Sequence, residues 1–281
     1  MTVAKKGNRR RTTPLWSRVP RPRQLLDSCG RALRRAVPAM LAIAGIGATA
    51  GGGYAAYRFV THSPRFAITD IEIRGTHVLD ARALEARLGF HEGDNIFTAP
   101  LAAAETRLSH EPWIADVRVH RELPHTIVVD VREREPAAVV DVDGLYLAEA
   151  NGHVFKRAAT EHGEGAGLPV VTGIDRATYA GDEAGAATEI ARALDTLTAW
   201  SRDAARPRVG EVHLDRRGGV TLYTYDGAIA IRVGDATGDA LAARLRTFDR
   251  AWAALSPDER ARTRAVHVDN LTRPDHVTVA F

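Results

Sequence analysis

Cysteine is almost missing: Cys29 is the only one in 281 residues, so no disulfide can form within the chain and its stability must come from core packing. The usual patterns of catalysis are missing too. Beyond residue 58 the serines are Ser63, Ser109, Ser201 and Ser256, and none lies in a GxSxG or SxxK setting. All eleven histidines fall in that same stretch, yet no HExxH occurs; "HEGDN" and "HEPW" lack a second histidine one helical turn on, so no zinc motif is formed. His120 and His125 flank a turn at Pro124, where they could meet only by accident of geometry, and are not read as metal ligands. Gly51 to Gly53 have no Lys-Ser/Thr after them and make no phosphate loop. The chain also lacks the many ten-residue lipid-facing strands a membrane barrel needs. These absences predict a protein without catalytic residues, metal, cofactor or small-molecule substrate. The remaining acid candidates are Glu133 and Glu135.

Charge is present but unevenly spread. Up to Arg35 there are eleven basic residues against one acid, Asp27; from Phe59 onward there are 26 basic and 34 acidic residues. Between them lie 22 uncharged residues, "AVPAMLAIAGIGATAGGGYAAY", which at 1.5 Å per residue make roughly 33 Å of helix, enough to cross a hydrocarbon core. The basic region and the apolar run are both too long for a cleaved signal, so an uncleaved anchor over 36–58 is expected. The Arg-rich arm, 1–35, then stays in the cytoplasm by the positive-inside rule, with Cys29 on the reducing side, and the remainder is exported. One aromatic, Trp16, and no binding module argue for a topology signal near anionic headgroups rather than a nucleic-acid contact. Gly47-xxx-Gly51 has small-xxx-small spacing, a weak signal for helix association.

The exported part is regular. "FAITDIEIRG" alternates Ile71 and Ile73 with Glu72 and Arg74, the period of a half-buried strand. Asp80 can cap a helix carrying Leu84 and Leu88, which Gly89 stops, and Thr98 can cap a second, from about Ala99 to Ser109. Two strands follow, with Val117, Val119, Ile127, Val129 and Val131 on one face and Arg118, His120, Val128, Asp130 and Arg132 on the other. The order is β-α-α-β-β. Further on, Asp143-Gly144 and Asn151-Gly152 separate three strands. A helix at about 186–200 carries Ile190, Leu194 and Leu197, and three more strands are punctuated by Gly218-Gly219 and Asp226-Gly227. Another helix presents Leu241, Leu245, Phe248 and Trp252 to the core. Two last strands close an α+β fold whose second domain is mainly antiparallel, with two helices.

The stretches "ITDIEIRGTHVLD" and "WIADVRVHRELPHTIVVDVREREP", placed around the two helices, resemble a POTRA domain. With a basic arm, one membrane helix and about 145 residues of β-rich sequence after the module, nearly the whole chain is similar to the bacterial cell-division family FtsQ, called DivIB in some bacteria. That resemblance implies a POTRA domain at 66–135 and an FtsQ-type β domain at 136–281. It implies a bitopic divisome scaffold in the inner membrane at the division septum, with its N-terminus cytoplasmic and its domains periplasmic, helping to control septal wall synthesis. Two other readings are a membrane-anchored cell-wall enzyme and a POTRA-type export chaperone.

The final segment "HVTVAF" alternates His276, Thr278 and Ala280 with Val277, Val279 and Phe281. An end strand of this kind leaves backbone groups to which another chain can add. The family resemblance implies that an FtsB/FtsL-like pair adds there, on Leu271, Thr272, His276, Val277, Thr278, Val279 and Phe281, while other division proteins meet the POTRA domain and the membrane helix.

Overall fold

The computed structural model describes residues 22–270, 272–273 and 276–281, with side chains described from residue 36 onward and at Arg34. The 1–35 arm therefore lies mostly outside the described residues, as does Leu271.

Helix α1, Pro22–His62, contains the apolar run, and its stretch Ala36–His62 is long and apolar enough to cross a membrane. That is five residues longer than the charge-free segment, because Arg58 does not interrupt the helix. A 3-10 turn, Pro64–Phe66, and residues 93–99 cluster with α1 in one compact unit, and residues 69–92 and 100–281 form another.

In the second unit, β1 (Asp70–Arg74), α2 (Ala81–Glu85), α3 (Leu101–Ser109), β2 (Ile114–Glu122) and β3 (Thr126–Glu133) follow the expected order. The sheet order is β1-β3-β2, with β1 parallel and β2 antiparallel to β3. Asp80 caps α2 by accepting from the Arg82 N–H at 3.2 Å. Thr98 does not cap α3: its Oγ1 donates to the Asn95 carbonyl, and Pro100 occupies the N-cap. Proline fits there because the first-turn N–H groups have no helical partner to lose. Leu84, Leu88, Ala104, Leu108, Val119, Ile127, Val129 and Val131 are buried. Val128 is buried as well, although it lies on the face read as polar. It sits on the central strand, with Glu72 of β1 and His120 of β2 as its neighbours on either side, so neither edge of its strand is open.

The second sheet has nine strands in the order β12-β11-β10-β9-β8-β7-β4-β5-β6. The strands are β4 (Ala138–Asp141), β5 (Leu145–Ala148), β6 (Val154–Arg157), β7 (Val170–Thr172), β8 (Val209–Leu214), β9 (Val220–Thr224), β10 (Ala230–Gly234), β11 (Ala265–His267) and β12 (Thr278–Ala280). Pairs β4/β7, β7/β8 and β10/β11 are parallel and the rest antiparallel. Each of the last two parallel steps is bridged by helix, α5 (Glu183–Ser201) or α6 (Gly238–Ala254), as a parallel crossover requires. Two further helices, α4 (Arg176–Gly181) and α7 (Pro257–Arg262), add to the expected pair. At six residues each they are too short to show an apolar period, though Ser256 and Glu259 form a full capping box on α7.

One core lies between this sheet and α5 and α6. Ile190, Leu194 and Trp200 from α5 meet Leu241, Leu245 and Phe248 from α6 over Val212, Leu222, Ile231 and Val266. The Trp200 and Phe248 rings lie 4.6 Å apart, and Trp200 Nε1 donates to the Pro207 carbonyl at 2.8 Å. Truncating either ring costs about 3–5 kcal/mol. Arg206 ties the two helices further, donating to both Asp249 carboxylate oxygens at 2.7 and 2.8 Å.

Candidate partner-binding edge

Strand β12 ends the sheet, and among the described residues only β11 pairs with it. Which of its backbone groups face outward follows from the register. The Arg264 carbonyl accepts from Ala230 N–H and the Val268 N–H donates to Arg232, so positions 264 and 268 on β11 turn polar groups toward β10. Backbone direction alternates along a strand, so Val266 also faces β10. Val279, directly opposite Val266, is thus in a pair that exchanges no hydrogen bond with β11. Its N–H and C=O point to the open side. Thr278 and Ala280, opposite His267 and Ala265, direct theirs into the sheet. One more bond reinforces the inner pairing: Arg264 N–H donates to the Ala280 carbonyl at 2.8 Å.

Side chains sort differently. Val277 and Val279 pack against the domain core, while His276, Thr278 and Ala280 are exposed. Phe281 is 55% exposed. Thr272 belongs to a turn closed by Asn270, whose Oδ1 accepts from the N–H groups of Thr272 and Arg273 at 3.1 and 3.0 Å. The His276 N–H donates to the Arg273 carbonyl at 3.0 Å. Thus, of the expected partner-binding set, Val277, Thr278, Val279 and Phe281 lie in or beside β12, with the valine side chains inward and the Val279 backbone outward, while Thr272 and His276 belong to the turn that precedes it.

The histidine and carboxylate cluster of β2 and β3 is a cross-strand charge ladder. Arg118 is opposite Asp130, His120 Nδ1 lies 3.4 Å from Asp130 and Nε2 3.8 Å from Glu122, and Arg74 reaches Glu122 at 3.6 Å. Such exposed pairs are worth a few tenths of a kcal/mol to about 1 kcal/mol each. Glu133 is committed elsewhere: its carboxylate accepts from the N–H groups of Val78 and Leu79 at 2.8 to 3.1 Å. Burial pushes its proton affinity up, but these bonds from Leu79, Val78 and His77 outweigh it and hold the carboxyl below its ordinary range. Glu133 is a structural acceptor. Glu135 is exposed. Among the described residues no group of three or more His, Cys, Asp or Glu is placed to hold a metal ion.

Sequence spacing gave no sign of the joint between the two sheets. Trp113, Val139 and Leu147 are buried together, with Leu79, Phe155, Ala158 and Leu168 around them. Phe155 meets Trp113 edge-on at 5.5 Å, and Lys156 Nζ lies 5.8 Å from the Trp113 ring while binding Glu164 at 2.6 Å. Arg134 donates to the Pro112 carbonyl at 3.1 Å and pairs with Glu149 at 2.6 Å. The partners lie 15 or more residues apart or across a turn, and in the sequence only the charged run Arg132-Glu133-Arg134-Glu135 before Pro136 marks the place.

Family comparisons follow the same division of the chain. Residues 66–134 match a family described as POTRA domain, FtsQ-type, and residues 138–269 match one described as Cell division protein FtsQ/DivIB, C-terminal. The second match stops short of β12. Cell division protein FtsQ of Anaeromyxobacter sp. strain K is 35% identical over 279 residues, 99% of this chain and 90% of that one. The protein of the same name from Myxococcus fulvus is 29% identical over 286 residues, 99% and 95% of the two chains. That of Geotalea daltonii is 32% identical over 191 residues, 67% and 69%. With both family models matched in order and similarity running through the apolar helix, the chain belongs to the FtsQ/DivIB family of cell division proteins.

Proposed function

We propose that this protein is a bitopic, non-catalytic divisome scaffold. Residues 1–35 form the cytoplasmic arm, the helix from residue 36 spans the inner membrane, and the POTRA domain at 66–135 and β domain at 136–281 lie in the periplasm at the septum. Its work is binding. An FtsB/FtsL-like pair adds a strand to β12, other division proteins meet the POTRA domain and membrane helix, and this assembly helps to control septal wall synthesis. The observation that supports the reading is the outward-facing backbone of Val279 on an unpaired edge, which an extended partner segment can extend as an antiparallel or parallel ladder. The hydrogen bonds that hold Glu133 count against the cell-wall-enzyme reading, which keeps only the exposed Glu135 as its acid candidate.

Two proline variants separate the partner edge from the fold. Val279→Pro removes an N–H that β11 does not use, so the folded protein should persist and partner capture should fall. Thr278→Pro removes an N–H aimed at β11 and should destabilise the sheet end itself. Full-length protein in mild detergent, mixed with the FtsB/FtsL-like pair, tests this by pull-down alongside thermal melting. Undiminished capture by folded Val279→Pro would sink the edge assignment. A fluorescent fusion spread evenly around dividing cells, with normal septation after depletion, would sink the scaffold reading.

A further inference from the structure

The exit of α1 carries a second feature. Near the end of a helix the last carbonyls have no partner within it. Ser63 N–H satisfies the Phe59 carbonyl at 3.0 Å, but the Val60 carbonyl is satisfied from far along the chain, by Asn95 Nδ2 at 2.7 Å. The same Asn95 accepts from the Phe97 N–H through Oδ1 at 2.9 Å. Residues 93–97 are laid against the segment after the helix by further bonds, Ile68 N–H to Asp94 and Ile96 N–H to Phe66, each 2.8 Å. The Phe97 ring meets Phe66 edge-on at 5.2 Å and remains 40% exposed. Phe97 is therefore held at the height of the helix end.

That height can be placed. The membrane-crossing stretch Ala36–His62 is centred on Thr49, and Val60 is eleven residues further. Eleven residues make about 17 Å, whereas the hydrocarbon half-thickness is about 15 Å and headgroups extend to about 20–22 Å. Val60 and the loop bonded to it fall in the headgroup layer. Tyr54, Tyr57 and Phe59 are exposed in about the last two and a half turns, with Arg58 among them and Arg65 just past the helix end. Aromatic rings collect at this depth because they are apolar in body and tolerate a wet rim, and arginine reaches phosphate from it.

We propose that residues 93–99 are a membrane-interface foot, with Phe97 seated among phospholipid headgroups beside the emerging helix. The foot fixes how the chain leaves the bilayer, since one asparagine joins the helix end to the lipid-facing loop. The inference rests on α1 spanning the membrane.

In a Cys29→Ser background, single cysteines at Ile46, Thr98 and Asp226 of the full-length protein carry an environment-sensitive NBD label. The protein is reconstituted in phosphatidylcholine/phosphatidylglycerol vesicles with and without phospholipid spin-labelled near the headgroup. The expected result is blue-shifted emission at Ile46, strong quenching at Thr98 and none at Asp226. Adding Phe97→Ser should cut the Thr98 quenching by about twofold or more, as the apolar contact is lost. Thr98 behaving like Asp226 while Ile46 is blue-shifted overturns the foot alone, as does a blue shift at Thr98 without quenching, which means protein covers it. Water-like emission at Ile46 overturns the membrane span itself.

Discussion

Trp113 is the side chain on which the joint between the two sheets turns, and removing it should do more than open a cavity. It is 8% exposed, an indole buries about 150–250 Å², and at about 25 cal/mol per Å² its burial is worth roughly 4–6 kcal/mol. Residual compactness of the unfolded chain lowers that toward about 3–5 kcal/mol, the range found for large aromatic truncations. Trp113→Ala also takes the ring from under Lys156 and from the edge of Phe155. For a protein of this size about 4 kcal/mol corresponds to a Tm drop on the order of 10 °C. Because Trp113 leads into β2 while Val139 and Leu147 belong to the other sheet, the loss should also uncouple the halves. Calorimetry of the full-length protein should show one broad or two separate transitions in place of one, with Trp113→Phe intermediate. A Tm within about 2 °C of wild type, or a single transition merely shifted, would show that Trp113 is not the coupling element.

Acid sensitivity should trace to the same region. The Lys156 hydrogen bond, opposed by burial and helped by the Ala159 N–H, holds the Glu164 carboxyl below its ordinary value of 4.5. A lowered folded value means that the stabilisation is complete above about pH 5.5 and fades as pH falls from near 4.5 through the lowered value. Urea melts from pH 7 to pH 3 should therefore be less steep for Glu164→Gln than for wild type over that acid window, and parallel curves would refute the assignment. Gly152 sits at φ 81° with an added Cβ falling 1.9 Å from the Ala187 carbonyl oxygen of α5. Gly152→Ala should destabilise by about 2 kcal/mol or more through strain and displacement of the helix, read by chemical denaturation; a neutral result would mean the hairpin moves freely.

The particular elements show where sequence suffices. Alternation at Ile71/Ile73 and Val117/Val119, the helical spacing of Leu241, Leu245 and Phe248, and the turn pairs Asp143-Gly144 and Asn151-Gly152 all mark local preferences that burial then reinforces. The apolar helix was legible because 22 successive residues within it carry no charge, a feature written in composition itself. Thr98 shows the limit: its type suits a cap, but Asn95 claims its hydroxyl and the chain enters α3 through Pro100. Val128 shows another, since alternation puts it on the polar face while position on a central strand buries it.

The sequence by itself determined the β-α-α-β-β order, the turns, the helical faces and the segment that meets the membrane, because each depends on neighbours within a few residues. Only the tertiary structure decided that β12 ends a nine-stranded sheet with the Val279 backbone outward, that Glu133 serves as an acceptor for a distant loop, and that Trp113, Arg134 and Lys156 join two sheets. Strand order and hydrogen-bond direction are set by which partners meet across long loops. Register, not residue type, decides which edge stays open.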